Sequence, residues 1–342
     1  MLIAWAFGCG AAQPVPSAGA PLVSVADPAL HARLGDCEPL VYSEPPPAGH
    51  ADRGPHVRAA SGLARLGDGL LIAQDDMSIL VLRDSEGRLS TRPLPARDGQ
   101  RAFDAEHGNL HLKPDLEACA SLSGDRVVCF GSGTMAERSW IALVSAREVR
   151  WSDAEPFYAS LRQLRALCGP QLNLEGAVVV GDRLRLFHRG NGVGDDRHSG
   201  YADLGLAAFE AWLAGAGPLP EPVNPRTVDL GSVEGVGYGF TAATAAPGDA
   251  IVFLAGAEAS TSPLHDGQVL GVQMGVMDEG GLRITAIEDE SGQPTTVKLE
   301  GLVLDLTDPQ RAWAVTDVDA TDTPASLCEI HLTGPWTRAV EP

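Results

Sequence analysis

The stretch Leu174–Gly192, LEGAVVVGDRLRLFHRGNG, holds a Leu-Glu-Gly start, an apolar strand, a Gly-Asp turn, a second apolar strand and a polar, Gly-containing exit. Glycine supplies the positive φ that a tight hairpin turn requires, so Gly181-Asp182 marks a chain reversal. Four more segments share this grammar: Ser61–Asp76 (SGLARLGDGLLIAQDD), Leu116–Gly133 (LEACASLSGDRVVCFGSG), Phe240–Glu258 (FTAATAAPGDAIVFLAGAE) and Leu299–Asp317 (LEGLVLDLTDPQRAWAVTD). The turn glycines Gly67, Gly124, Gly181 and Gly248 stand 57, 57 and 67 residues apart. A hairpin cannot bury both of its faces alone, so each unit must stack on its neighbours. A repeat of this length, with room for about four strands, predicts a propeller blade.

Five copies predict an all-β, five-bladed β-propeller; a sixth blade hidden in the long interval from Gly181 to Gly248 is the alternative. The last copy has room for three strands, near Leu302–Leu306, Trp313–Thr316 and Leu327–Leu332. The fourth is expected from the N-terminal stretch Pro39–Tyr42, which would close the ring and remove open sheet edges. Helical spacing of apolar residues predicts two short helical insertions, at Glu155–Leu167 and Tyr201–Ala214. Glycine and proline, 39 and 25 of 342 residues, make about a fifth of the chain against an average of about 12%, as many tight turns require.

The formal charge is −20, from 25 Lys+Arg against 45 Asp+Glu. That balance excludes a nucleic-acid binder working through the phosphate backbone and docking by charge on an anionic membrane. No stretch approaches the ~20 apolar residues of a spanning helix. Met1–Cys9 (MLIAWAFGC) looks like the end of a lipoprotein signal with a lipid anchor at Cys9, and Ala11–Pro21 reads as a small-residue tether. The expected organisation is a leader and linker over 1–21 and one propeller domain over 22–342, located in the cell envelope as a periplasmic or outer-membrane lipoprotein. The other cysteines, Cys37, Cys119, Cys129, Cys168 and Cys328, lack the CxxC spacing of a zinc or redox site. Buried free thiols are the plain reading for all five. Cys37 and Cys328, beside the two strands expected to close the last blade, also lie where an exported chain could form a disulfide.

The strand starts Leu174-Glu175-Gly176-Ala177 and Leu299-Glu300-Gly301-Leu302, with the variant Leu116-Glu117-Ala118, resemble those of an uncharacterised bacterial family of phytase-like propellers. They are also distantly similar to the Glu-Gly-Pro start of the gluconolactonase/senescence-marker propellers. The resemblance covers about residues 57–335 by the repeat logic. It implies a divalent-metal site at the mouth of the central channel, with Glu117, Glu175 and Glu300 as ligands. Ser61 and Thr241 stand where the first and fourth glutamates would be, and the proline of Glu-Gly-Pro is absent. Read from the residues alone, a glutamate in an apolar inner strand must be paired, metal-bound or wet. Three converging carboxylates would suit Ca²⁺, an oxygen-seeking cation.

Of the 25 basic residues only Lys113 and Lys298 are lysines, and each lies just before a strand-start glutamate. A compact ammonium at both places points to an axial role, binding an anion or neutralising the glutamates. The strand exits add Asp75, Ser132, Arg189, Asn191 and Asp317, which repeat symmetry puts on one face and which could hold a phosphoryl or carboxylate group. A Ser132–His188–Asp triad can be drawn, but Ser132 lacks a nucleophile elbow. The expected function is a metal-assisted hydrolase-like propeller acting on or binding a small anionic ligand of phosphoester or lactone type. The alternative is a non-catalytic propeller of the cell envelope that binds a ligand or a protein partner.

Overall fold

A computed structural model describes residues 20–47, 51–169, 171–190, 198–260 and 267–336. Among them, five antiparallel four-strand units succeed one another. The first is β4 (Ala60–Leu66), β5 (Gly69–Gln74), β6 (Ile79–Arg83) and β7 (Leu89–Pro93), and the second is β8 (Leu116–Leu122), β9 (Arg126–Gly131), β10 (Trp140–Ser145) and β11 (Val149–Asp153). The third is β12 (Leu174–Val180), β13 (Arg183–His188), β14 (Ser199–Gly205) and β15 (Val223–Asp229), followed by a short hairpin of β16 (Ser232–Val233) and β17 (Val236–Gly237). The fourth is β18 (Gly239–Ala246), β19 (Ala250–Ala259), β20 (Gln268–Asp278) and β21 (Gly281–Glu288). The fifth joins β22 (Leu299–Leu304), β23 (Arg311–Thr316) and β24 (Ser326–Thr333) to an N-terminal strand, β3 (His31–Pro39).

Face-to-face burial turns this succession into a propeller. Five apolar clusters fill the spaces between consecutive units, the last running from Val303, Val315 and Leu327 back to Leu63, Ile72 and Val81 of the first. The first strand of every unit lies innermost, against the first strands on both sides. The turn glycines Gly67, Gly124, Gly181 and Gly248 all have positive φ, as their hairpins demand.

The N-terminal segment does more than close the last unit. Before β3, β1 (Leu22–Val23) adds in parallel to the outer edge of β15, and β2 (Val25–Ala26) adds in parallel to β21. Residues 22–39 thus strap three units together. The closing strand is β3 and not Pro39–Tyr42: His31–Leu34 alternates exposed and buried side chains against β24, whereas Val41 makes only an isolated bridge to His56.

The helices differ from expectation in extent. Glu155–Leu167 divides into α1 (Glu155–Arg162) and α2 (Arg165–Cys168). Tyr201–Gly205 belongs to β14, where Asp203 is buried against Arg185 (2.7 Å), and helix begins only at α3 (Leu206–Leu213). Phe157 and Phe209 wedge α1 and α3 into the cluster between the second and third units.

Cys37 and Cys328 face each other across β3 and β24 and are disulfide-bonded. Cys119 and Cys129, directly opposite on β8 and β9, form a second disulfide where the sequence suggests free thiols; Cys168 is a buried thiol. The Cys37–Cys328 bond spans 291 residues of sequence and the other only 10. Unfolded-chain entropy therefore predicts that Cys37→Ser/Cys328→Ser loses about 2–5 kcal/mol in urea unfolding and Cys119→Ser/Cys129→Ser distinctly less. Equal losses would contradict ring closure as the source of that stability.

Candidate functional site at the mouth of the axis

Each first strand carries a bulge at its start. Pairing with the second strand skips from Ala60 to Leu63, Leu116 to Ala118, Leu174 to Gly176, Phe240 to Ala242 and Leu299 to Leu302. The residues left out of register include Ser61, Glu117, Glu175, Thr241 and Glu300, because a bulge re-aims its extra side chain. Residues of all five first strands line one small axial cavity, Ser61, Glu117, Glu175 and Glu300 among them. The next position is always small. A Cβ on Gly301 would come within 2.5 Å of the Leu63 Cβ and 2.7 Å of the Ser61 carbonyl oxygen, so the Leu-Glu-Gly start reflects crowding at the axis.

A second tier lies at the exits of the second strands. Backbone N–H groups of Asp75, Ser132, Arg189 and Asp317 donate to the carbonyls of Ala59, Asp115, Asn173 and Lys298, the residues just before the first strands. Repeat geometry thus brings these exits to the mouth occupied by the glutamates. Asn191 lies outside the described residues.

The charges at the mouth fall into two groups. Lys113 Nζ lies 2.6 Å from Asp75 and 2.7 Å from Asp115, and Arg138 holds Asp115 at 2.8 Å. Ser132 donates to Asp115 and not to His188, so the drawn triad does not form. His188 is buried, accepts at Nδ1 from the Asn173 N–H (2.9 Å), and has its pKa pushed down to about 3 by burial and then by His198. In the other group, Arg189 reaches Glu258 (2.5 Å), Glu175 (3.4 Å) and Glu300 (3.6 Å). Lys298 Nζ lies 2.8 Å from Asp317, 2.7 Å from Asp319 and 3.8 Å from Glu300. Asn173 donates to Glu175 (2.7 Å), while Ser61 and Thr241 donate to the carbonyls of Leu116 and Leu299.

Glu117 stands apart, with no hydrogen bond or ion pair to a described residue. Its ligand oxygen lies with those of Asp75 and Asp115 in a group whose members are all within 4.8 Å of one another. Glu175 and Glu300 are instead engaged by Arg189 and Lys298, so the three expected metal ligands do not form that group together. Burial, then Glu175 and Asp115, pushes the Glu117 carboxyl well above its usual range. Burial also raises Glu300, against Lys298, and lifts Glu175 to about 7 against the pull of Arg189. Asp75 rises to about 6 and Asp76 to about 7, again chiefly through burial. Burial would raise Asp115 and Asp317 too, but Lys113 and Arg138 hold the first down and Lys298 the second.

Asp76 and Glu258 stand at strand exits that repeat symmetry puts on this face, whereas Asp115 and Arg138 do not stand out in the sequence. Asp115 lies inside the Lys113–Glu117 motif, between the lysine and the glutamate that do. Arg138 needs the fold to bring its segment to Asp115.

The family of unknown function DUF6929 matches residues 56–332. No curated protein matches the sequence. Among solved structures, the chain is similar to MPT-4, a mannose phosphorylase from Leishmania mexicana in complex with phosphate ion (13% identity, 87% of this chain and 88% of that chain, TM-score 0.46). It is also similar to XC5397, a gluconolactonase from Xanthomonas campestris (13% identity, 90% and 99%, TM-score 0.42). A third is an α-L-arabinofuranosidase from Fusarium graminearum in complex with arabinobiose (9% identity, 87% and 98%, TM-score 0.42). The gluconolactonase part of the expected resemblance recurs here; the phytase-like part does not.

Two predictions test the charge arrangement. Lys298→Met leaves Asp317 and Glu300 buried without their ammonium, and should cost about 3–5 kcal/mol of stability, as breaking a buried pair does; an unchanged melting temperature would mark Lys298 as a solvated surface group. The second concerns pH. Glu175 ionises near 4.5 when unfolded and near 7 when folded. Over that interval the folded state holds a proton that the unfolded state has released, so this group's contribution makes stability fall as pH rises and then level off. In EDTA, the melting temperature of Glu175→Gln should therefore fall less between pH 5 and pH 7.5 than that of the wild type; parallel curves would contradict the assignment.

Proposed function

We propose that this chain, which belongs to the family of unknown function DUF6929, is a five-bladed propeller that binds a divalent cation, Ca²⁺, at its axial mouth. We further propose that it acts there as a metal-assisted hydrolase on a phosphoester or lactone. One observation carries this reading: Glu117 is a partly buried carboxylate that makes no hydrogen bond or ion pair of its own among the described residues, grouped with Asp75 and Asp115. An all-oxygen, acidic donor set fits a hard cation. Glu117, Asp75 and Asp115 would hold the ion, with Glu175 and Glu300 behind them on Arg189 and Lys298. When bound, Ca²⁺ would supply Lewis-acid polarisation of a phosphoryl or carbonyl oxygen.

The chain's own groups divide the remaining work. Lys113 and Lys298 are each held by at least two carboxylates, so they fix Asp75, Asp115 and Asp317 and do not face an anion directly. Ser132, bonded to Asp115 and Thr134, orients that aspartate. Asp76 keeps Oδ1 without a hydrogen-bond partner and ionises near 7, which suits a group that takes or returns a proton at neutral pH. Two disulfides favour an oxidising compartment and, with the lipoprotein-like Met1–Cys9, a place in the cell envelope.

A second reading, a non-catalytic binding propeller, is favoured by the ion pairs that already engage Glu175 and Glu300. Calcium titration calorimetry on EDTA-treated protein, followed by phosphoesterase and lactonase screens with and without Ca²⁺, tests both. The hydrolase reading predicts Ca²⁺ binding weakened at least tenfold by Glu117→Gln, and Ca²⁺-dependent turnover lost in the same variant. Ca²⁺ binding without turnover would support the second reading, and no Ca²⁺ binding would overturn the metal site.

A further inference from the structure

The axis also opens on the face away from the mouth. A cavity of about 230 Å³ there is lined by mostly apolar residues from all five first strands, Leu63, Ala120, Val178, Ala243 and Val303 among them. Its polar side chains are Thr244, Ser121 and Arg65. Ser121 bonds the Arg65 N–H (3.1 Å) and carbonyl (2.9 Å), and the Arg65 guanidinium donates to the Leu304 carbonyl (2.5 Å). Leu306 stands at the rim and is 78% exposed, the most of the large apolar side chains among the described residues. Its turn is fixed, because the Asp305 carboxylate accepts from the Thr307 N–H and hydroxyl, the Asp308 N–H and Arg311. A leucine held out in solvent beside an apolar socket marks an interaction surface.

Charge around the socket selects the partner. Each first hairpin turns within four residues of the wall and carries an aspartate there: Asp68, Asp125, Asp182, Asp249 and Asp308. The first four are exposed and Asp308 is half-buried. A Cβ on Gly181 would lie 3.9 Å from the Asp249 carboxylate, so turns of neighbouring units stand side by side. Arg126 is held by Glu210 (2.5 Å) and Arg311 by Asp305 (3.0 Å), while Arg183 lies 3.4 Å from Asp203 and 3.9 Å from Asp182. These arginines therefore do not balance the ring. All five turns are described, and the remaining residues do not reverse its sign. Residues 1–19 carry no charged side chain, and 337–342 carry Arg338 and Glu341. Positions 48–50, 170, 191–197 and 261–266 interrupt connections between strand ends on the mouth side.

An apolar socket inside an acidic ring complements an apolar side chain flanked by cations. The volume is below the range of small-molecule sites, about 300–1,000 Å³, and suits a single side chain. Two copies of this chain would bring their acidic turns together, so the chain does not fit itself. We propose that this face docks a basic segment of a partner protein, with one apolar side chain in the axial socket and its Lys/Arg neighbours against the turn aspartates. This goes beyond the metal reading, since the face lies at the other end of the axis from Glu117.

Calorimetry and NMR on the full chain with the acetylated, amidated peptides KRLRK, KRSRK, SSLSS and EELEE test it. KRLRK should bind, more weakly as NaCl rises, and each comparison peptide should bind at least about tenfold more weakly. Leu306→Ser should weaken KRLRK several-fold with far-UV circular dichroism unchanged. Asp125→Asn/Asp182→Asn/Asp249→Asn should do the same, asparagine being tolerated at the positive φ of Asp125 and Asp249. Glu117→Gln should bind KRLRK as the wild type does, whether or not Ca²⁺ binds at the mouth. Absence of KRLRK binding, equal binding of any comparison peptide, or binding that survives both socket variants would overturn the proposal. So would loss of binding in Glu117→Gln, or a homodimer in analytical ultracentrifugation that Leu306→Ser dissociates.

Discussion

Everything at the mouth depends on how closely the five first strands approach one another. Around the axis the position after each bulge is Gly62, Ala118, Gly176, Ala242 or Gly301, and a Cβ on any of the three glycines would crowd a neighbouring strand. The same crowding sets the preceding residue out of register and commits it to the axis. Where that residue is Ser61 or Thr241, a backbone carbonyl of the next strand satisfies it. Where it is a glutamate, geometry has placed a carboxylate where water is scarce, and the rest of the mouth is organised around that charge.

The cations present do not match the carboxylates they meet. Arg189 bridges Glu175, Glu258 and Glu300, Lys298 serves Asp317, Asp319 and Glu300, and Lys113 serves Asp75 and Asp115. The excess is relieved either by protons, which is what the raised pKa values of Glu117, Glu175 and Glu300 express, or by a cation from solution. On the proposed reading, ions and protons would compete for the same oxygens, and cation binding at the mouth would depend on pH. Aside from this axis the molecule is conventionally built, with apolar clusters between sheets and an N-terminal strap over three outer edges.

The repeat is legible in the sequence because its turns and strand starts obey local rules: glycine at positive φ, a small residue beside the axis, a polar residue at the bulge. Repeat symmetry alone assigns Asp75, Ser132, Arg189 and Asp317 to one mouth. Partnership is not legible. Which carboxylate Arg189 reaches depends on the angle between units, and nothing local in Leu174–Gly192 points to Glu258 or Glu300. The sequence points to a closing strand too late in the chain because Leu40-Val41-Tyr42 is more apolar than His31–Pro39. An outer strand that buries only one face needs alternation, not a continuous apolar run. Tyr201–Gly205 reads as helix because its apolar spacing continues into α3; the buried Arg185–Asp203 pair that makes it a strand joins residues on neighbouring strands.

The central claim is that a divalent cation, not a set of protons alone, balances the carboxylates around Glu117. Anomalous diffraction from crystals of the intact chain grown with Ca²⁺ at neutral pH tests it most directly. The account predicts an anomalous peak at the mouth within coordination distance of Glu117, Asp75 and Asp115, absent from crystals of Glu117→Gln grown in the same way. A mouth without that peak, with Glu117 hydrogen-bonded as a neutral acid to a neighbouring carboxylate, would contradict it.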